Sequence, residues 1–163
     1  MQLFILDRDC VSAVRFLADT HVIKMCLENA QILSAVILNS RIALPPGFPL
    51  PHTLNHPVIR AIRTPGQINW VVAYNGALQD EFHYRFGKDH AYRALVRSYR
   101  EILFQPEYPE DCSDLARTFR DFHSYSSDLI EAHREYYCTK LDRFKRPPCW
   151  SRRPVPEWLA AVI

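Results

Sequence analysis

Four polar residues lie in one line within an otherwise apolar segment, LADTHVIKMCLENAQILSAV, residues 17–36. His21, Lys24, Glu28 and Gln31 are spaced by three, four and three residues, so on an α-helix they fall within roughly 80° of arc. An amine beside a carboxylate can form and resolve a Schiff base, and a carboxylate can stabilise an oxocarbenium ion at a sugar carbon. The pattern predicts Glu28, Lys24 and His21 as catalytic residues. The simpler interpretation is an ordinary solvated helix face with a surface ion pair.

A second predicted helix carries polar and aromatic residues that would line a facing groove. Glu81 and Arg85 are one turn apart and can pair, and the segment NHPVIR, residues 55–60, brings an imidazole and a guanidinium to one helix start. Arg and His hold phosphate oxygens, whereas Tyr and Trp stack on bases. An exposed ion pair and a structural loop histidine are the simpler interpretations. The residues predicted to bind substrate are Gln31, His56, Arg60, Asn69, Glu81, Tyr84, Arg85 and His90.

Helical periodicity and cap residues place the elements that must position these side chains. Residues 43–57, ALPPGFPLPHTLNHP, form a long Pro-rich loop, and residues 3–6 are a short strand or an extended lead-in. The predicted fold class is all-α, a single compact multi-helix domain over residues 1–163 with long Pro-rich loops. The predicted helices cover about 10–17, 19–39, 65–86, 88–104, 113–122 and 126–144, with a short helix after Pro57 and a helical turn near the carboxyl end.

Composition narrows the class of protein. The 163 residues are 48% hydrophobic and 23% charged, with only four Gly and no GxGxxG or Walker pattern, which argues against a nucleotide site of either type. Five Cys without paired spacing argue against a disulfide framework and a zinc site. Because neither a leader peptide nor an apolar run of about 18 residues is evident, we expect a cytoplasmic protein with no membrane partner. We also expect no metal and no cofactor. A net charge of +2 permits a DNA or nucleotide partner without requiring one, and it leaves the oligomeric state open.

Residues 17–36 resemble the catalytic helix of the phage-type pyrimidine-dimer DNA glycosylases, the endonuclease V family. That family has an LAD-x-H opening and a Glu seven residues after the His, which His21 and Glu28 match. The chain is also similar to phage proteins that combine H-x-x-K-x-x-x-E with N-H-P and E-x-x-Y-R-x-G-K-x-H. The resemblance implies a DNA-repair enzyme that cleaves an N-glycosidic bond, with Glu28 as the essential carboxylate. A phage-encoded protein would act in the host cytoplasm.

The nucleophile stays open at the level of sequence. The family uses the α-amine exposed when Met is trimmed from a small second residue, whereas Gln2 stands second here. Lys24 is one turn from Glu28 and is the other candidate amine for an abasic-site lyase step; hydrolysis without a lyase step is the third option. Two further functions remain as alternatives: an enzyme acting on free nucleotides or nucleosides, and a non-catalytic module that binds nucleic acid or protein. The basic, aromatic tail, residues 140–153, is predicted to contact a nucleic-acid backbone.

Overall fold

The structure, a computed structural model, describes residues 2–113, 115, 119 and 124–160. Within these ranges the chain forms α-helices and one 3-10 turn, with no β-strand, so the predicted all-α fold class is confirmed. The helix predicted over residues 113–122 falls largely outside the described residues. The helices are α1 (Cys10–Arg15), α2 (Asp19–Asn39), α3 (Pro57–Ala61), α4 (Pro65–Phe86), α5 (Val96–Leu103), α6 (Leu129–Leu141) and α7 (Glu157–Ala160).

The two long helices begin and end where the sequence predicts, because local chemistry sets their ends. Helix α4 starts at Pro65 behind a capping box, in which the Thr64 side chain accepts from the Gln67 backbone and the Thr64 backbone N–H donates to the Gln67 side chain. It ends at Gly87, whose φ of +65° is a left-handed conformation that suits glycine. Helix α1 is capped as expected, since the Asp9 carboxylate accepts from the Ser12 N–H.

Two predicted helix starts are wrong. The helix predicted over 88–104 is a 3-10 turn at Arg93–Leu95 followed by α5, which starts only at Val96. Helix α6, predicted from residue 126, begins at Leu129 because Asp128 accepts hydrogen bonds from the first turn and caps it. Of the two alternatives predicted for residues 3–6, the strand is not formed and the lead-in is found, almost fully buried in the core.

Helices α2 and α4 pack antiparallel and form the centre of the fold. Asp19 at the start of α2 pairs with Arg85 near the end of α4, and further along the Cys26 thiol donates to the Leu78 carbonyl. By length and composition α2 could cross a membrane, yet 72% of its most apolar window is buried inside the protein. Its apolar character is therefore accounted for by the core, and it gives no strong sign of a membrane partner.

The amino-terminal segment and the Pro-rich loop, residues 40–56, pack on different parts of this helix pair. Trp70 and Tyr74 of α4 donate hydrogen bonds to the carbonyls of Arg8 and Phe4, which fixes the amino-terminal segment on α4. Phe48 of the Pro-rich loop is buried edge-on against the ring of Tyr99 of α5, with ring centroids 4.7 Å apart. Each segment also meets the predicted polar line of α2, through Gln2 at Glu28 and through the Leu50 carbonyl at Gln31.

Candidate functional site

Glu28 lies on α2 next to the start of the chain. One carboxylate oxygen is 3.3 Å from the Lys24 ammonium, and the other accepts a hydrogen bond of 3.1 Å from the backbone N–H of Gln2. The Glu28 side chain is only 14% exposed, whereas the Lys24 side chain is 61% exposed. The carboxylate is therefore held between a cation and a peptide N–H, with its cation on the solvent side.

His56 is the second predicted residue in this neighbourhood. Its Nδ1 accepts a hydrogen bond from the Val58 N–H and caps α3. Burial lowers the pKa of His56, and the nearby carboxylate of Glu28 acts on the same pKa in the opposite direction. The imidazole is therefore mostly neutral at pH 7, and because Nδ1 accepts, its proton resides on Nε2. His56 can thus offer one N–H donor close to Glu28.

Arg60 and Gln31 complete this region, with different roles. Arg60 is exposed on α3, one turn after His56, and its backbone N–H donates to the His56 carbonyl. Gln31 is buried, and its side-chain amide donates to the Leu50 carbonyl at 3.1 Å. Gln31 therefore anchors the Pro-rich loop to α2 rather than presenting its amide to solvent.

His21 is buried in an aromatic cluster, although it belongs to the same line of α2. Its side chain is in contact with the rings of Phe4 and Phe144, each with a centroid 5.0 Å away. Its Nδ1 is 2.9 Å from the Tyr137 hydroxyl, which in turn accepts from the Ala18 N–H. Burial, with smaller effects of Lys24 and Lys140, lowers the pKa of His21 to about 4. This imidazole is neutral at pH 7 and packs behind the site.

The polar residues of α4 do not face Glu28. Arg85 is fully buried and donates to the Asp19 carboxylate at 2.9 Å and to the Glu81 carboxylate at 2.7 Å. Asp19 precedes Glu28 by nine residues, which is about 13.5 Å along the helix axis. The structure thus separates the predicted residues into one group around Glu28 and another at the start of α2. The facing groove expected between two polar stripes is not formed by these residues.

The group around Arg85 is a buried ion network. Arg153 of the tail binds the Glu81 carboxylate through two nitrogens, at 2.9 and 2.8 Å. Burial alone would raise the pKa of Glu81, but the hydrogen bonds from Arg153 and Arg85 outweigh it and leave that pKa below its usual value. Burial is likewise outweighed at Asp19, whose pKa is lowered by Ser151 and Arg85. This network ties the carboxyl-terminal tail to the two long helices.

The remaining predicted residues of the second helix are also engaged within the protein. Asn69 binds the backbone of the loop after α5, donating to the carbonyls of Gln105 and Tyr108 at 2.7 Å each. Tyr84 donates to the Arg152 carbonyl, beneath the guanidinium of Arg153. These contacts give both side chains structural roles.

His90 lies beyond the end of α4. Its Nδ1 accepts from the Tyr92 N–H, and its ring meets Phe82 edge-on at 5.0 Å.

The carboxyl-terminal tail is also bonded to the rest of the protein. Arg152 donates to the Tyr84 carbonyl, and Trp150 donates to the Phe16 carbonyl. Residues 150–153 of the basic tail are therefore bonded to the fold, with Trp150 buried and Arg152 exposed.

Two partners in these groups were not predicted. Gln2 contributes only a backbone N–H to Glu28, and a backbone contact of this kind leaves no signal in the sequence. Asp19 could have been found, since an acidic residue in the first turn of a helix is a usual feature, but its pairing with Arg85 depends on helix packing. Among the described residues, no three His, Cys, Asp or Glu side chains converge as a metal site requires.

The comparisons with known proteins add no relative. No family model, no curated protein and no solved structure matches this chain. The function of this chain is therefore inferred from the geometry around Glu28.

Proposed function

We propose that the protein cleaves an N-glycosidic bond in a nucleic acid, with Glu28 as the carboxylate at the reacting sugar carbon. One observation carries the proposal: Glu28 is the only acidic residue between Asp19 and Asp80, and it is held shielded beside an ammonium. A lone carboxylate on an otherwise cationic stretch of chain fits an anionic substrate that develops positive charge in the transition state. Loss of a base from a sugar develops such charge at the anomeric carbon.

The roles of the neighbouring groups are assigned from their positions. As the bond between the sugar C1′ and the base breaks, the base leaves with the bonding electron pair and takes up a proton from solvent, while the Glu28 carboxylate stabilises the positive charge at C1′. Glu28 then accepts the proton that the attacking nucleophile loses as it bonds to C1′. The Lys24 nitrogen, 3.3 Å from that carboxylate, can attack C1′ once its ammonium has lost a proton to solvent. The C1′ adduct becomes an imine when the bond from C1′ to the ring oxygen breaks and that oxygen takes up a proton. The α-amine of the chain is the alternative nucleophile, and water is the third. His56 and Arg60 are the donors for phosphate oxygens.

The test compares ultraviolet-irradiated and unirradiated duplex DNA, with wild type and Glu28→Gln. We expect base release or strand nicking by the wild type and at least about a 100-fold lower rate for Glu28→Gln, the usual range for a proton-transfer group. The free energy of unfolding should change by less than about 0.5 kcal/mol, because the Lys24 partner is largely exposed. Glu101→Gln is the matched control, since Glu101 forms the same spacing of ion pair with Arg97 on an exposed helix face. Full activity of Glu28→Gln would refute the assignment.

Borohydride trapping then distinguishes the nucleophiles. A covalent adduct that disappears in Lys24→Ala assigns the imine to Lys24, whereas an adduct that persists excludes Lys24 as the amine. Base release without an adduct indicates direct hydrolysis. Turnover of free nucleotides but not of DNA would identify the protein as an enzyme that acts on free nucleotides or nucleosides. Binding that is independent of Glu28, without turnover of any substrate, would identify a non-catalytic module.

A further inference from the structure

The Pro-rich loop has a fixed path over α2 although it contains no helix or strand. The ring of Phe48 is buried against α5, the Leu50 carbonyl accepts from Gln31, and the Leu54 carbonyl accepts from Asn39 at 3.4 Å. Four prolines, at positions 45, 46, 49 and 51, restrict φ between and beside these anchors. The backbone at residue 50 is therefore held in place from both sides.

The side chain at this fixed point is directed into solvent. Leu50 is 73% exposed, more than any other large apolar side chain in the described part of the chain. Single exposed apolar side chains are common, but this one stands between Pro49 and Pro51 on an anchored backbone. Its position is thus imposed by the loop rather than left to a flexible tip.

Leu50 stands close to Glu28 along α2. Its anchor, Gln31, lies three residues after Glu28, about 4.5 Å along the helix axis. Leu27, 37% exposed, lies one turn before Gln31 and borders the same surface. The loop that carries the apolar tip is therefore anchored on α2 within one turn of the candidate catalytic carboxylate.

The stretch of chain that carries the tip has charges of one sign. The sequence has no Asp or Glu from residue 29 to residue 79, whereas Arg41, Arg60 and Arg63 are all exposed, as is His52. The exposed cations of this stretch are complementary to a polyanion such as a phosphate backbone. An apolar protein partner would not require such a uniform sign.

We propose that Leu50 is a wedge that enters the base stack of duplex nucleic acid beside the nucleotide presented to Glu28. This inference depends on the proposed function. A base in a duplex must leave the stack before an enzyme reaches its glycosidic bond, and apolar side chains inserted between base steps are a known way to unstack them. Because the loop is already ordered, insertion requires little further loss of conformational freedom. Leu50 is thus a positioning residue, and it makes duplex the preferred substrate.

The test is Leu50→Ala on duplex and single-stranded forms of one irradiated oligonucleotide, with 2-aminopurine beside the lesion to report unstacking. We expect kcat/KM on duplex to fall at least about tenfold, because the cost of unstacking a base is a few kcal/mol. The value on single strands should change less than twofold, and the rise in 2-aminopurine fluorescence should be lost. Leu54→Ala is the matched control on the same loop and should retain both, while Leu50→Met should retain most of the duplex activity.

The outcomes separate the wedge from the proposed function. Equal losses on both substrates, or none, would overturn the wedge while leaving Glu28 in place. If wild type releases no base, the proposed function fails, and fluorescence with bound duplex still tests the wedge: no rise in the wild type overturns it. If Leu50→Ala alters self-association of the protein but not the fluorescence, the tip is a protein contact and the wedge is overturned.

Discussion

The buried imidazole of His21 predicts a specific weakening of the fold in mild acid. Its pKa is lowered from 6.5 to about 4, first by burial and then by the charges of Lys24 and Lys140. Between these two values the unfolded chain binds a proton that the folded protein does not. Stability is therefore complete above pH 6.5 and is lost as the pH falls from 6.5 towards 4.

The magnitude is set by the two pKa values. At pH 5 the linkage relation gives a loss of about 2 kcal/mol relative to pH 8, and about 3 kcal/mol once the pH is below 4. Asp19 and Glu81 also weaken the fold in acid, because their pKa values are lowered, but each acts only below the ordinary pKa of a carboxyl group. Burial raises the pKa of Glu110, which therefore acts in the opposite sense above pH 4.5 and does so equally in wild type and in a His21 variant. The loss of stability between pH 6.5 and 4.5 therefore comes from histidines.

Urea unfolding of wild type and His21→Asn between pH 8 and pH 4.5 measures this contribution. The Asn side-chain oxygen can still accept from the Tyr137 hydroxyl, so the hydrogen bond at the core is kept while the titration is removed. Burial also lowers the pKa values of His56 and His90, and their contributions remain in both proteins. We expect the difference in unfolding free energy between the two proteins to shrink by about 2 kcal/mol from pH 8 to pH 5. A pH-independent difference would refute a neutral, buried His21.

Two substitutions on α4 test the packing of the long helices by the same urea method. Arg85→Met should lower the free energy of unfolding by about 3–5 kcal/mol, because the buried carboxylate of Glu81 loses one of its two cations. The control, Arg97→Met at an exposed ion pair, should change the free energy of unfolding by less than about 0.5 kcal/mol. Equal effects of the two substitutions would contradict the burial of the network. Gln79→Met should raise the free energy of unfolding by about 1 kcal/mol. Both side-chain amide atoms of Gln79 are buried without a hydrogen-bond partner among the described residues. Met has a helix propensity similar to that of Gln, so the helix itself is not weakened. A loss of stability in Gln79→Met would mean that the amide is hydrogen-bonded in solution.

Local signals placed the helices, whereas the contacts between helices were beyond the sequence. Asp9, Pro57, Pro65 and Gly87 act within one turn of chain, so the type of residue alone indicates where a helix begins or ends. The late start of α6 shows the limit of such reasoning, since Ser126, Ser127 and Asp128 are all residue types that cap helices and only Asp128 has the required geometry.

The candidate site divides in the same way. The spacing of Lys24 and Glu28 placed both residues on one face of α2, and the structure has them 3.3 Å apart. The sequence by itself determined the all-α class, the two long helices and this pair. Periodicity shows which residues share a face of a helix, but it does not show which part of the protein that face meets. Which neighbour covers each face depends on the antiparallel packing of α2 and α4 and on the path of the Pro-rich loop. Those long-range contacts bury His21, turn Arg85 towards Asp19 and leave Glu28 beside His56, and only the tertiary structure decided them.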